Sequence, residues 1–134
     1  MNIFTPYLAW GESMLEIHSP EELDQVINQL IEQGQKKMPL SVQLVANEES
    51  ALLITVGSQE SHVEFYSITE PVLVVGCKGP WDDNSLVAFT HGGEYSEIER
   101  RYCVPFASAR EALNQYFLTG QRPNNIQWND DLDE

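Results

Sequence analysis

From Leu40 onward the hydrophobic period of this chain drops from 3.6 residues to about 2, and each segment with the new period joins the next through a short polar turn. LSVQLVA (40–46) and ALLITVG (51–57) are separated by Asn47-Glu48-Glu49-Ser50, and HVEFYSI (62–68) follows across Ser58 to Ser61. Connections this short join antiparallel neighbours, because a parallel return needs a crossover of about a dozen residues or more. Pro71 opens the apolar run Val72 to Val75, which reads as a central strand covered on both faces. After the irregular segment Cys77 to Ser85, Leu86 to His91 and Glu94 to Arg100 flank Gly92-Gly93, the composition of a two-residue hairpin turn. That turn pairs His91 with Glu94 and sets Val87, Phe89, Ser96 and Ile98 on one face. Tyr95, Glu97 and Glu99 fall on the other.

Two helices frame this sheet. Ser19-Pro20-Glu21-Glu22 announces the first: Ser19 as N-cap, Pro20 at the first position, and Glu22 closing a capping box and complementing the helix dipole. Leu23, Val26, Ile27, Leu30 and Ile31 share one face, and Gly34 reads as the terminator, with Lys36 and Lys37 past the negative end. The second helix starts either at Pro105 or at a capping box formed by Ser108 and Glu111. Ala109, Ala112, Leu113, Tyr116 and Phe117 form its apolar face, while Arg110, Glu111, Asn114 and Gln115 turn outward. Gly120 suits a left-handed stop, and Pro123 prevents resumption. Ile126 and Trp128 give the tail an apolar anchor. Ahead of the first helix, residues 1 to 12 are too aromatic for a loose tail and too irregular for a regular element, so they are expected to pack along an edge. Ser13 to His18 reads as a strand with Leu15 and Ile17 on one side. The fold class is therefore α+β: a mainly antiparallel twisted sheet of about 6–7 strands with two principal helices packed on it.

A chain of 134 residues suits one domain with a sizeable core. Twenty-one acidic against seven basic residues leave a net charge of −14, which disfavours nucleic acid and anionic membrane surfaces as direct partners. The short acidic tail Asp130, Asp131, Asp133 and Glu134 adds to a dispersed excess. Cys77 and Cys103 have no metal-type spacing and read as small buried thiols in a reducing compartment. The opening MNIFTPYLAWGES lacks a basic region followed by a continuous apolar one, so the expected location is cytoplasmic.

Reactive constellations are not apparent. His18, His62 and His91 lie in different elements without ligand spacing, so neither a metal nor another cofactor is expected. His91-Gly92-Gly93 is explained by a hairpin turn in the absence of G-x-S-x-G. No trio of nucleophile, base and oxyanion donor can be assembled, and no catalytic residue is assigned. Trp81 is the ambiguous aromatic: with Gly79-Pro80 before it and Asp82 and Asp83 after, it reads equally as a core plug and as a binding hot spot.

The run Val104-Pro105 through Ala109, Ala112 and Phe117 to Thr119-Gly120, Arg122-Pro123, Ile126 and Trp128 resembles the C-terminal signature of immunity-protein family 1 of bacterial polymorphic toxin systems. Looser matches keep the same order: Trp10-Gly11, Glu22-Leu23, Val56-Gly57, Phe89 before Gly92-Gly93-Glu94, and Glu97-Ile98. Glu99-Arg100-Arg101 departs from the more apolar approach to the helix that the resemblance implies. The resemblance implies one immunity-protein-like domain over residues 1–134 that neutralises a cognate interbacterial toxin, in this family often a nucleic-acid deaminase, by occluding its substrate-binding surface. Enzymes that hold phosphates carry basic grooves, which an acidic, non-enzymatic partner can fill. Trp81 and Tyr95 are then the expected anchors of toxin binding, with Asp82, Asp83, Glu94, Glu97 and Glu99 selecting the partner and fixing register. A monomer is expected. The alternative is a small acidic secretion chaperone, a homodimer that holds an extended effector segment.

Overall fold

The computed structural model describes residues 4–68 and 73–129. Pro71 and Val72 of the apolar run, and the acidic tail Asp130 to Glu134, lie outside the described residues. In chain order the elements are β1 (Tyr7–Trp10), β2 (Ser13–Glu16), α1 (Pro20–Lys36), β3 (Leu40–Asn47), β4 (Ser50–Val56), β5 (Glu60–Ser61), β6 (Val63–Ser67) and β7 (Leu73–Lys78). Then come β8 (Leu86–His91), β9 (Glu94–Glu99), a 3-10 turn at Arg100–Tyr102, β10 (Val104–Pro105), α2 (Phe106–Thr119) and β11 (Gln127–Trp128). The α+β class is observed. Nine of the described strands form the main sheet, in the order β11-β7-β6-β4-β3-β1-β2, with β8 joined to β3 and β9 to β8, so the sheet is somewhat larger than expected. Its pairings are antiparallel except for a single parallel bridge from Leu40 to Thr90.

The surplus strands come partly from the N-terminal segment, where an irregular edge was expected. Tyr7, Leu8 and Ala9 pair with Val45, Leu44 and Gln43, and β1 turns back at Gly11 to pair with β2. The pairing supplies the order that the sequence pattern lacks, and aromatic residues suit a pleated surface. Because β2 is outermost, Leu15 is exposed, contrary to expectation, while Ile17 just beyond the strand is buried.

Ser19 caps α1 as expected: its Oγ accepts from Glu22 N–H at 3.1 Å, and Glu22 Oε1 turns back to accept from His18 N–H at 2.6 Å. Leu23, Val26, Ile27 and Leu30 are buried against the sheet. Gly34 does not end this helix, which runs on to Lys36. It serves close approach instead. A Cβ on Gly34 would stand 2.6 Å from Val56 O and 2.9 Å from Gly57 Cα, and Gly57 itself has φ +118°. Backbone therefore packs on backbone where α1 crosses the end of β4.

Helix α2 lies on the same face. Its first residue is Phe106, because Val104 and Pro105 are still held as a strand against Ser61 and Glu60, and Phe106 N–H donates to Gln59 O at 2.9 Å. Of the two expected starts the structure is near the first, with Pro105 as the N-cap, and the Ser108–Glu111 capping box is not used. Ala109, Ala112, Leu113 and Tyr116 are buried, Phe117 is packed against the same core, and Gly120 at φ +71° ends the helix. Tyr116 Oη accepts from Ala46 N–H at 3.1 Å and meets Ser50 Oγ at 2.8 Å, while Asn47 Nδ2 donates to Gly120 O at 3.0 Å. These bonds fasten the helix end to the β3–β4 turn. Arg110, expected to face water, reaches α1 and pairs with Asp24 at 2.8 Å and Asn28 at 2.8 Å.

The opposite face of the sheet is covered by the β8–β9 hairpin. Its register is the expected one, His91 opposite Glu94 and Phe89 opposite Ser96, around Gly92 and Gly93 at φ +58° and +85°. Phe89, His91, Ser96 and Ile98 of the hairpin look across a cleft at Leu53, His62, Glu64 and Tyr66 of the sheet. That cover does not extend over β7. Val75 and Cys77 are buried on the helix side but Val74 is 56% exposed, so the strand expected to be covered twice is covered once. A side chain at Gly34 tests the close crossing: we expect Gly34→Ala to lower stability by about 2 kcal/mol, overpacking exceeding alanine's gain of about 1 kcal/mol in a helix. An unchanged urea midpoint would show that α1 has room to move.

Candidate functional site

At Gly79 the chain leaves β7 through a passage that no side chain fits, since a Cβ there would lie 1.4 Å from Cys103 O. Gly79 N–H donates to Arg101 O at 3.1 Å. The 79–85 loop is thereby pressed onto the 3-10 turn, and Arg100 closes the junction. Its guanidinium lies 4.4 Å from the centre of the Trp81 ring, with Nε 2.9 Å from Glu60 Oε2 and Nη1 3.2 Å from Asp83 Oδ2. Arg100 N–H also donates to Ser85 O at 2.8 Å. The far side of Asp83 is occupied as well: Oδ1 accepts from Ser85 Oγ at 2.6 Å and from Ser85 N–H at 3.2 Å.

Protonation follows this geometry. The Ser85 hydroxyl, helped by its N–H and Arg100, holds the Asp83 carboxyl below its ordinary range against the opposing effect of desolvation. For Glu60 burial pushes upward, but the Ser58 hydroxyl, its own N–H and Arg100 together hold it low. Trp81 is thus not a core plug. It is a half-buried ring laid on a guanidinium that also meets two carboxylates. Asp82 beside it is exposed.

Ser85 leads directly into β8, where Leu86 stands opposite Glu99. The loop therefore meets β9 at the base of the hairpin. Glu99 Oε1 lies 2.7 Å from Arg101 Nε, close but without an aligned hydrogen bond. Along the outer face Glu97 and Tyr95 continue the row, the Tyr95 hydroxyl donating to Glu97 Oε2 at 2.8 Å. That bond and the neighbouring carboxylate raise the Tyr95 phenol above its ordinary range. Tyr95 is 61% and Leu86 60% exposed. Trp81, Asp83 and Glu99 gather around the two arginines, and Tyr95 and Glu97 extend the row about 14 Å along the strand. Glu94 falls on the other alternation, at the hairpin tip opposite His91.

Under the hairpin lies a cluster that sequence reasoning missed. His62, Glu64 and Tyr66 alternate along one sheet face, so the signal was a period of two among polar residues rather than apolar ones. His62 Nε2 lies 2.9 Å from Glu64 Oε2 and Nδ1 lies 2.8 Å from Tyr102 O. A carbonyl and a carboxylate can only accept, so both ring nitrogens carry protons and the buried ring is an imidazolium. Burial opposes that charge, yet Cys77, Glu64 and the Tyr102 carbonyl raise the ring to about 10. Glu64 is held low chiefly by His62, and its Oε1 accepts from the Tyr66 hydroxyl, whose phenol burial and that carboxylate push upward.

Cys77 Sγ stands 3.8 Å from His62 Nδ1, so thiol, imidazole and carboxylate are disposed like a nucleophile, base and orienting acid. The thiol has no access to a substrate. Cys77 is 0% exposed, and its Sγ accepts from Val63 N–H and donates to Tyr102 O, both at 3.2 Å. Cys103 is buried too, its thiol pushed up to about 12 by burial first and by nearby charges second. Among the described residues no group of three His, Cys, Asp or Glu side chains could hold a metal ion, and no helix is long and apolar enough to cross a membrane.

The model of the family described as immunity protein Imm1 matches residues 11–130 of this chain. The chain belongs to the Imm1 family, and that membership implies a toxin as its partner. No curated protein matches the sequence.

The imidazolium makes a pH prediction. His62 is raised from 6.5 to about 10, so its contribution is complete below pH 6.5 and is lost as pH rises toward 10. Glu64 is depressed from 4.5, so its contribution is present above that value and lost as pH falls. Between about pH 6 and pH 9.5 the wild type is expected to lose stability with a slope of up to about 1.4 kcal/mol per pH unit from this one proton. His62→Gln flattens the profile and is less stable at the acidic end. Parallel melting curves for the two proteins across that range would show that the ring is not the source.

Proposed function

We propose that this protein binds and neutralises a cognate interbacterial toxin, a nucleic-acid-targeting deaminase, by covering its substrate-binding surface. The observation that carries this reading is the junction at Arg100, which holds the Trp81–Asp83 loop against the base of β9. It makes one ordered acidic surface from two segments far apart in sequence. Asp82, Asp83, Glu97 and Glu99 supply the charge, with Trp81 and Tyr95 as aromatic anchors and Glu94 as a contact at the hairpin tip. A surface ordered before encounter loses little side-chain entropy on binding, which favours tight association.

Charge has a second role. A basic groove on the toxin, shaped for phosphates, is drawn to a chain of net charge −14, and steering of this kind raises association rates toward ~10⁸–10⁹ M⁻¹s⁻¹ at low salt. The protein acts as a monomeric, single-domain binder in the cytoplasm and performs no reaction of its own. Imm1 membership favours this reading over a secretion chaperone, because an immunity protein engages a folded toxin domain rather than an extended segment.

The test is protection. Cells expressing the toxin domain encoded beside this chain should survive with the wild type and die with Trp81→Ala, Asp82→Lys, Asp83→Lys combined, the purified triple variant binding at least about 30-fold more weakly. A folded triple variant that protects as well as the wild type places the interface elsewhere.

A further inference from the structure

Several basic residues of this acidic chain hold it together. Arg110 joins the helices, Arg100 joins loop to turn, and Arg122 lies 5.6 Å over the Trp128 ring. Lys78 and Arg101 line one cleft. It opens between β7 and the 3-10 turn, with a volume of about 490 Å³, and is also bounded by His62, Glu64, Ile98 and Asn129. Gly76 keeps its floor open, since a Cβ there would lie 3.3 Å from His62 Cε1 and 3.5 Å from Asn129 Nδ2.

The hydrogen-bonding capacity left over in this cleft is almost entirely that of donors. The Lys78 side chain makes no ion pair or hydrogen bond with any described residue. Arg101 lies against Tyr102 and beside Glu99 through Nε, leaving its terminal nitrogens without a carboxylate among the described residues. Asn129 Nδ2 uses one proton on Cys77 O at 3.4 Å. Glu64 already takes a hydrogen bond from His62 on one oxygen and from Tyr66 on the other. With the His62 imidazolium behind them, Lys78 and Arg101 outnumber Glu64 and Glu99 by one positive charge, reversing locally the sign of the whole chain.

We propose that this cleft receives an acidic side chain, Asp or Glu, of the bound toxin, and that it selects the toxin by demanding one carboxylate within an otherwise basic surface. The inference rests on the toxin-binding reading above, with which the cleft is contiguous, since Arg101 on its rim lies 2.7 Å from Glu99 of β9. A free polyanion is repelled by the surrounding field, whereas one carboxylate carried on a basic protein arrives by the attraction of its neighbours. A toxin with lysine at that point meets like charge, which discriminates against the wrong partner.

Affinity for the toxin domain encoded beside this chain is measured for Lys78→Glu and Arg101→Glu, with Glu97→Lys as control and melting curves confirming the fold. Each cleft variant should weaken binding at least about tenfold. One Asp or Glu to Lys substitution on the toxin should restore the Lys78→Glu complex. Unchanged affinity for both cleft variants, with Glu97→Lys impaired, overturns the carboxylate socket and leaves the acidic surface standing. If none of the three matters, the surface itself is misplaced and the socket falls with it. A Lys78→Glu effect that disappears when the chain is ended at Asn129 assigns the cleft to the protein's own acidic tail and overturns the toxin carboxylate.

Discussion

Every side chain of β4 from Ala51 to Val56 is buried, so the sheet needs a cover on both faces, and that requirement organises the molecule. Leu52, Ile54 and Val56 join the core beneath the two helices. Leu53 points the other way and would be left in water without Phe89 of the hairpin. At about 1.5–3 kcal/mol for each large apolar side chain removed from water, both covers are obligatory rather than decorative. Helices meet one need; a hairpin, which presents apolar groups on one side and polar groups on the other, meets the second.

The cover on the second face determines where the acidic surface stands. Phe89 and Ile98 turn inward to the sheet, so alternation along β9 sends Tyr95, Glu97 and Glu99 outward. The hairpin is pinned at one end by Leu40 and Thr90 and at the other by Arg100, whose N–H reaches Ser85. Between these pins the hairpin crosses His62 and Glu64, a charged pair in which the buried imidazolium has both of its N–H groups matched, by Glu64 and by the Tyr102 carbonyl. The same device that closes the core thus presents the surface proposed above to meet the toxin.

Much of this was legible in the chain. The Ser19 cap, the apolar face of α2, the stop at Gly120 and the Gly92-Gly93 register depend on neighbours within a few residues, and all appear where the pattern places them. Readings that depended on distant partners failed. Gly34 reads as a terminator, yet it is small because Gly57 and Val56 approach it. The aromatic N-terminal segment becomes a strand only because β3 offers an edge. Arg110 reads as a solvent residue until Asp24 of the other helix is within reach. For the candidate surface, the alternation of Tyr95, Glu97 and Glu99 was readable, but the seat of Trp81 was not, since Arg100 lies nineteen positions away from it.

Local chemistry in the sequence determined which segments are helix, which are strand, where they turn and which face of each is apolar, because capping, turn geometry and period act over a few bonds. Tertiary structure alone decided what each face meets: that a hairpin covers the second side of the sheet, that one histidine is a buried cation, and that Lys78 and Arg101 share a cleft. Those outcomes depend on close packing and on charges brought within a few ångströms across long separations in sequence, and no local pattern encodes such distances.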